Sequence, residues 1–409
     1  MRRLDVGIIG AGTAGAAAAI LLARAGHAVT VYERVPEPGP AGAGIVLQPS
    51  GMAVLQRIGI LAKVAGRGAR IRRLDCETVR GKKIVALDYA ALHPGWFGVG
   101  LHRGVLFQSL HEALAAEPIA LRCGVEVVAA KHAGRGRRLV DAQGRAVGEH
   151  ELVVVADGAR SRLRDGSGLT EGARPYPWGA LWFVARDPST RFRGRLYQVV
   201  DGPRRMLGLL PTGLGPSGAC PHVSVFWSLR VDRLRRWQDD GVDAWKRECA
   251  AMTPEVAPAL EQIERLEDLT FATYHDVVMS SWNTRSTVYI GDAAHAMSPQ
   301  LGQGCNLALV DAAVLADCVA EAAHLPSALD AYTRRRREHL DFYQRATRWL
   351  TPFFQSDAGL LGALRDALMG GAHRVPFVHR EMVRSMAGTK AGWLAGTFTV
   401  GSFDAPEAP

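Results

Sequence analysis

An α/β fold class follows from three observations in the 409-residue sequence. A short apolar run, a glycine-rich connection and an alanine-rich stretch open the chain in the order strand, turn, helix, with a second strand pattern close behind. Alternating segments interrupt that texture between Gly68 and Gly100 and again between Ala173 and about Thr270, and helical periodicity dominates from Leu307 onward. Together these predict a Rossmann-like dinucleotide-binding domain, an inserted mixed or antiparallel β-sheet, and a C-terminal helical region.

The opening elements carry the most information. Asp5–Ile9 reads as a buried strand, Ala14–Ala25 as a helix ended by Gly26, and Ala28–Glu33 as a second strand. Their connection, Gly10-Ala11-Gly12-Thr13-Ala14-Gly15, is a G-x-G-x-x-G string, and Glu33 stands 23 residues after its first glycine. Gly10 permits the tight turn, Gly12 lets a pyrophosphate approach the backbone, and Gly15 lets helix and strand pack closely. The free N–H groups and dipole of the helix start then favour the phosphate charge. Glu33 can accept hydrogen bonds from an adenosine ribose and repels a 2′-phosphate, which suits FAD or NAD(H) without separating them. Arg2-Arg3 followed by the uncharged Val6–Ala23 imitates an export signal or short membrane span, but Asp5 and the glycines at 7, 10, 12 and 15 decide against it. No other stretch approaches the roughly 18 apolar residues of a spanning helix.

Within the insert, Arg195–Val200, Arg205–Leu210 and Val223–Leu229 read as strands, with turns at Asp201-Gly202-Pro203 and Gly213–Gly218. Along Val223–Leu229 alternate residues must face opposite sides. Helices are expected over Leu307–Ala323 and from about Ser327 to Leu350, then a helix-rich tail whose end, Gly401–Pro409, has the composition of a frayed terminus. The expected division assigns 1–67, 101–172 and 271–323 to the nucleotide-binding domain. It gives 68–100 and 173–270 to the inserted sheet, and 324–409 to the C-terminal helices and tail.

Composition narrows the function classes. With 48% hydrophobic and 22% charged residues, disorder, collagen and coiled coil are excluded. Six cysteines without a C-x-x-C pair fit neither a disulfide framework nor a zinc site, so a reducing cytoplasm and no metal are expected. The net charge of +9 invites nucleic acid or anionic membrane as a partner. Its densest run, Arg334–Arg337, reads instead as the solvated face of a helix, and neither nucleic-acid binding nor stable membrane insertion is expected.

Two further segments decide the cofactor. The strand Glu151–Ala156 leads into Asp157-Gly158-Ala159-Arg160-Ser161-Arg162-Leu163-Arg164, and Thr287–Ile290 leads into Gly291-Asp292-Ala293-Ala294-His295-Ala296-Met297-Ser298-Pro299, then Gly302-Gln303-Gly304-Cys305-Asn306. These resemble the D-G-x-x-S-x-x-R, G-D-A-A-H-x-x-x-P and G-x-G-x-N motifs of single-component flavoprotein monooxygenases with the para-hydroxybenzoate hydroxylase fold. Motif order and spacing cover most of the chain.

The resemblance implies non-covalent FAD, with NADH or NADPH as co-substrate, and oxygenation of an aromatic or conjugated small molecule through a flavin hydroperoxide formed with dioxygen. It places cofactor contacts at Gly10, Gly12, Ala14, Gly15, Glu33, Arg34, Gly44, Arg103, Val127, Asp157, Asp292, Gly302, Gly304, Cys305 and Asn306. Asp292 can accept from ribityl hydroxyls, Arg103 suits a phosphate, and the helix behind Gly302 and Gly304 can offer its free N–H groups to the flavin. Asp157 and Arg164 are expected to form a carboxylate–guanidinium bridge, serving either architecture or pyridine-nucleotide binding. Gln48, in the segment Gly42–Gln48 matched to the loop over the flavin, is a candidate to touch flavin or substrate. Pro299 shapes the reactive edge, and His295 either organises its loop or moves a proton. Tyr197, His222, Tyr274 and His275 are available as a substrate base, and the sequence selects none of them. A flavin-dependent halogenase, an isoprenoid reductase and a redox-inactive FAD-binding scaffold stay open as alternatives. A monomer and a homodimer are equally compatible with the sequence.

Overall fold

The computed structural model describes residues 2–40, 42–372, 374–394 and 396–401, so the expectation of a frayed tail falls, beyond Gly401, outside the described residues. A five-stranded parallel sheet organises the first half of the site. Its order is Thr287–Tyr289, Leu152–Val155, Asp5–Ile9, Ala28–Glu33, Ile119–Cys123. The chain leaves the central strand Asp5–Ile9 for one side and later fills the other, which opens a crevice at the carboxyl ends of the strands, where open α/β sheets bind ligands. Burial on both faces explains the uninterrupted apolar strands: Val6 and Ile8 in the central strand, and Leu152, Val153, Val154 and Val155 beside it, are fully covered. The covering helices are Thr13–Arg24 and Gly304–Glu321, which share one core through residues such as Ala16, Ile20, Leu307 and Val310.

The inserted sheet is larger than expected. Its path runs Thr270–Met279, Thr170–Arg186, Pro221–Arg230, Arg205–Leu214, Gly194–Asp201, Ala69–Thr78, Gly98–His102, Gly44–Leu47, with Lys83–Asp88 paired to Ala69–Thr78. The pairings are antiparallel except that between Gly194–Asp201 and Ala69–Thr78, so the sheet is mixed. Alternation in Pro221–Arg230 sorts its residues as the twofold strand period requires. Val223, Val225 and Trp227 join Trp237, Trp245 and Cys249 on one face, while Phe226 packs with Met206, Phe354, Val383 and Met386 on the other.

Three corrections follow. Residues 173–270 are not sheet throughout, because helices Leu234–Asp240 and Val242–Met252 cover the outer face with those tryptophans. Gly44–Leu47 is a strand paired with Gly98–His102, not a loop. The arginine run is only partly solvated: it lies on the helix Leu325–Phe354, and Arg336 is fully buried. A small antiparallel sheet, Val127–Ala133, Gly136–Asp141 and Ala146–His150, adds a layer that the sequence did not announce. Among the described residues no helix is long and apolar enough to cross a membrane, and no cluster of metal-ligating side chains occurs. All six cysteines are free.

Candidate functional site

Each glycine of the first motif has its own steric reason. Gly10 sits at φ +98°, and a Cβ there would stand 2.5 Å from the Ala156 carbonyl oxygen, so both backbone conformation and the neighbouring strand demand glycine. A Cβ on Gly15 would fall on the Gly10 carbonyl. Gly12 differs, since a Cβ there meets nothing within 4 Å. The protein has left room in front of Gly12, at the start of a helix whose first turn has no side-chain cap and no acidic residue. Its free N–H groups and the open space before them form a cradle that could take an anionic group such as a phosphate. Ala14 lies buried in the same first turn.

Glu33 closes the turn from the end of the second strand. Its two oxygens accept from the N–H groups of Ala11 (2.8 Å) and Val35 (2.9 Å), which fixes the carboxylate beside that helix start and leaves it further lone pairs. Arg34 is exposed next to it. Val127 is buried at the start of the small sheet.

The G-D motif makes the second wall. Gly291 begins a short helix Asp292–His295, and Asp292 is exposed, its Oδ1 3.8 Å from where a Cβ on Gly304 would lie. Asp292 therefore faces the N-terminus of Gly304–Glu321, a second helix start without a side-chain cap or first-turn acid. Gly302 adopts φ +61° with open space around its α-carbon. Pro299 is exposed at the head of the turn Pro299–Leu301. Arg103, exposed at the first position of Arg103–Ala115, donates its backbone N–H to Ala43 and lies in the field of Cys305, as does Asp292. Burial, the dominant effect, pushes the Cys305 thiol up to about 12, so it is a neutral wall residue.

Several expected roles move. The Asp157–Arg164 bridge is absent: buried Arg164 pairs with Asp165 (2.8 Å) and donates to the carbonyls of Ala159 and Ala293. The reason is geometric, because Arg164 follows the short turn and reaches back across it to the G-D loop. Asp157 is left with a buried Oδ1 that has no hydrogen-bond partner, and burial raises its carboxyl to about 6 against the opposing pull of Ser161, Arg164 and Arg34. Gln48 is engaged by the protein itself. It is buried, its side chain accepts from the Tyr89 hydroxyl, and its N–H donates to Asn306 Oδ1 (2.8 Å). Asn306 in turn donates to Val46 O (3.0 Å) and Gly302 O (3.3 Å), so it ties the strand Gly44–Leu47 to the second helix start. Gly44 is buried where a Cβ would press on Ser224 and Thr212, a packing reason for glycine.

His295 belongs to a buried network that sequence reasoning missed. Its Nε2–H donates to Asp311 (2.6 Å), which also accepts from the Gly291 N–H (2.8 Å) and from Arg336 Nε (2.7 Å). Arg336 donates to His339 Nδ1, and His339 donates to Gly388 O (3.0 Å). Although burial opposes it, the neighbouring His295 and Arg336 hold the Asp311 carboxyl below the usual range. His295 thus positions the loop that presents Asp292. A lone acid inside the apolar run Leu307–Ala316 was the available signal.

Residues 3–347 match the family described as FAD binding domain. The chain belongs to that family. This FAD-binding protein is 31% identical over 350 residues to the aurachin C monooxygenase/isomerase of Stigmatella aurantiaca, across 82% of this chain and 85% of the relative. It is 28% identical over 352 residues to a probable 2-heptyl-3-hydroxy-4(1H)-quinolone synthase of Rhodococcus erythropolis, across 83% and 86%. Its fold is that of Klebsiella pneumoniae HpxO complexed with FAD and uric acid, with TM-score 0.80 and 20% identity over 93% of this chain and 97% of the other. The cofactor is FAD and the protein is an FAD-dependent monooxygenase with the para-hydroxybenzoate hydroxylase fold. These comparisons give no support to the halogenase, reductase or scaffold alternatives.

Proposed function

We propose that this monooxygenase hydroxylates a flat, electron-rich heteroaromatic small molecule in the cytoplasm, using NADH or NADPH and dioxygen. The observation that carries the substrate side is an aromatic group on the inner face of the large sheet. Half-buried Trp182 donates its Nε1–H to the Tyr274 hydroxyl (3.3 Å) and packs on Phe226 with ring centroids 5.1 Å apart. Such a surface holds an apolar ring and excludes water from it. The relative named as a probable 2-heptyl-3-hydroxy-4(1H)-quinolone synthase supports the same class.

The residues divide the work. The open backbone at Gly12 and the start of Thr13–Arg24 would hold the pyrophosphate, Glu33 the adenosine ribose, Arg103 phosphate oxygens and Asp292 the ribityl hydroxyls. When bound, FAD supplies electron uptake from the nicotinamide cofactor and activation of dioxygen. Asn306 and the Asp311 network keep the second helix start and the Asp292 loop in fixed relation, so the two walls of the cradle do not drift apart.

A hydroxylated phenol-type substrate must also lose a proton. Tyr197 is committed to Glu77 on the outer side of the sheet, and His222 accepts from the Gly215 N–H. Tyr274 belongs to the aromatic group, and His275 lies in the field of Arg160, Arg164 and Asp292, with burial lowering its pKa so that it is neutral at pH 7. As neighbours in one strand they face opposite sides, and we assign the proton to Tyr274, which shares the face of Trp182.

A panel of phenols, quinolones and N-heteroaromatic acids, incubated with the yellow holoprotein and NADH or NADPH in air, tests the proposal. The right class accelerates nicotinamide oxidation and yields a product with one added oxygen atom. Stimulation by none of them, or by saturated analogues equally well, contradicts it.

A further inference from the structure

The helix Gly359–Ala372 is turned inside out. A helix on a protein surface normally buries its apolar stripe and wets its charges. Here the stripe Leu360, Ala363, Leu364, Ala367 and Leu368, spaced as one helical face, points to solvent, with Leu360 at 81% and Leu368 at 64% exposure. Its arginine points inward. Arg365 is 1% exposed, donates to Gly202 O (3.0 Å) and Phe353 O (3.0 Å), and pairs with Asp366 (2.7 Å). Gly362 takes the point of closest approach to Pro203, and Gly370 lies against Lys83 O. The inward side is thus fully employed in packing, so the outward leucines are not the residue of a misplaced register. Just past the helix, Val375 and Phe377 extend the apolar surface at 50% and 58% exposure.

A basic rim borders this surface. Arg80, Lys82 and Lys83 lie at the hairpin beside Gly370, and Arg374 and Arg380 follow in the chain; all five are exposed. The nearby acids are neutralised, Asp366 by Arg365 and Asp357 by Arg204, Arg230 and Arg233.

A second copy of the chain fits this surface poorly. At about 1.5 Å rise per residue and about 10 Å width, the 14-residue helix offers roughly 200 Å², and with half-exposed Val375 and Phe377 the apolar surface still falls well short of the about 800 Å² per partner in a stable interface. Self-association would also bring like-charged rims together. A lipid interface has neither difficulty, because each leucine enters the acyl boundary separately and the phosphates match the rim. We propose that this face docks on an anionic bilayer surface, with the Gly359–Ala372 helix lying in the headgroup plane, its leucines inserted and the lysine–arginine rim on lipid phosphates. The contact is peripheral, and it stands independently of the substrate proposed above.

The test is sedimentation of the full-length holoprotein with large vesicles, either phosphatidylcholine alone or phosphatidylcholine mixed with phosphatidylglycerol. The wild type should pellet with the mixed vesicles, less with phosphatidylcholine alone, and less as salt rises. The double variant Leu364→Glu/Leu368→Glu should lose roughly tenfold or more of that partitioning while keeping its flavin spectrum and melting temperature. Lys82→Glu/Lys83→Glu should remove the preference for phosphatidylglycerol. A wild type that stays in the supernatant with both vesicle types overturns the proposal, as does a leucine double variant that pellets unchanged. A wild-type dimer that the leucine variant dissolves, without vesicle binding, assigns the face to a second copy and overturns it equally.

Discussion

Replacing Asp311 by asparagine isolates what holds the loop around Gly291 and Asp292. The carboxylate is fully buried and accepts three hydrogen bonds, from Gly291 N–H, His295 and Arg336, the last also fully buried. Asparagine keeps the shape, removes the charge, and presents an amide N–H₂ where one of the three donors now points. Arg336, whose Nη2 already lacks a partner, is then left as an uncompensated buried cation. Breaking a buried pair from one side costs about 3–5 kcal/mol, a large part of the roughly 5–15 kcal/mol that keeps a protein folded. Asp311→Asn should therefore lower the urea midpoint, followed by the fluorescence of the nine tryptophans, and release FAD early in the transition. Adding Arg336→Met removes the stranded cation, and the double variant should recover about half or more of the loss. An Asp311→Asn protein within about 1 kcal/mol of wild type, or a double variant whose losses simply add, would refute the claim that charge pairing holds this loop.

Further expectations concern the cofactor cradle and its charges. Gly12→Val should weaken FAD binding roughly tenfold to more than hundredfold yet leave the melting of the apoprotein nearly unchanged, because a Cβ there meets no protein atom within 4 Å and would stand in the proposed pyrophosphate site; flavin fluorescence titration beside calorimetry separates the two. Gly15→Ala should instead destabilise the apoprotein itself, since its methyl group falls on the Gly10 carbonyl. Asp292→Ala, which loses the proposed charged acceptor for ribityl hydroxyls, should cost about 1.5–3 kcal/mol of FAD affinity, read by the same titration. The Asp157 carboxyl is raised to about 6 by burial, so the native apoprotein retains a proton that the unfolded chain has released near pH 4. Its contribution to stability falls as pH rises through that window, and Asp157→Asn should remove this fall, by up to roughly 2–3 kcal/mol at pH 7 in paired urea titrations.

What the sequence disclosed was local. The first βαβ unit is legible because the turn at Gly10, the space at Gly12 and the contact at Gly15 each impose a residue type within six positions. The strands 195–200, 205–210 and 223–229 were legible through alternation, and the structure extends each of them by a few residues. Gly44–Leu47 escaped because four residues between glycines carry too short a pattern, and its pairing with Gly98–His102 is a long-range fact. The helices over 234–252 escaped because charged residues dominate them, although Trp237, Trp245 and Cys249 already marked one buried side. Within the motifs, residue types did not report the hydrogen-bond and ion-pair partners. Asp157 and Arg164 lie in one motif yet face different elements, while Asp311 and Arg336, from separate helices, meet in the core. Pairing across helices depends on how they pack, and spacing within one motif does not report it.

The central claim is that this protein transfers one atom of dioxygen to an aromatic substrate. Its most direct test is turnover of a substrate identified in the panel by purified holoprotein with NADH or NADPH under ¹⁸O₂, with the product analysed by mass spectrometry. The account predicts a product carrying one labelled oxygen atom and no label when ¹⁸O is supplied in water instead. A product labelled from water, one that has lost a double bond without gaining oxygen, or one that has gained halide would contradict it.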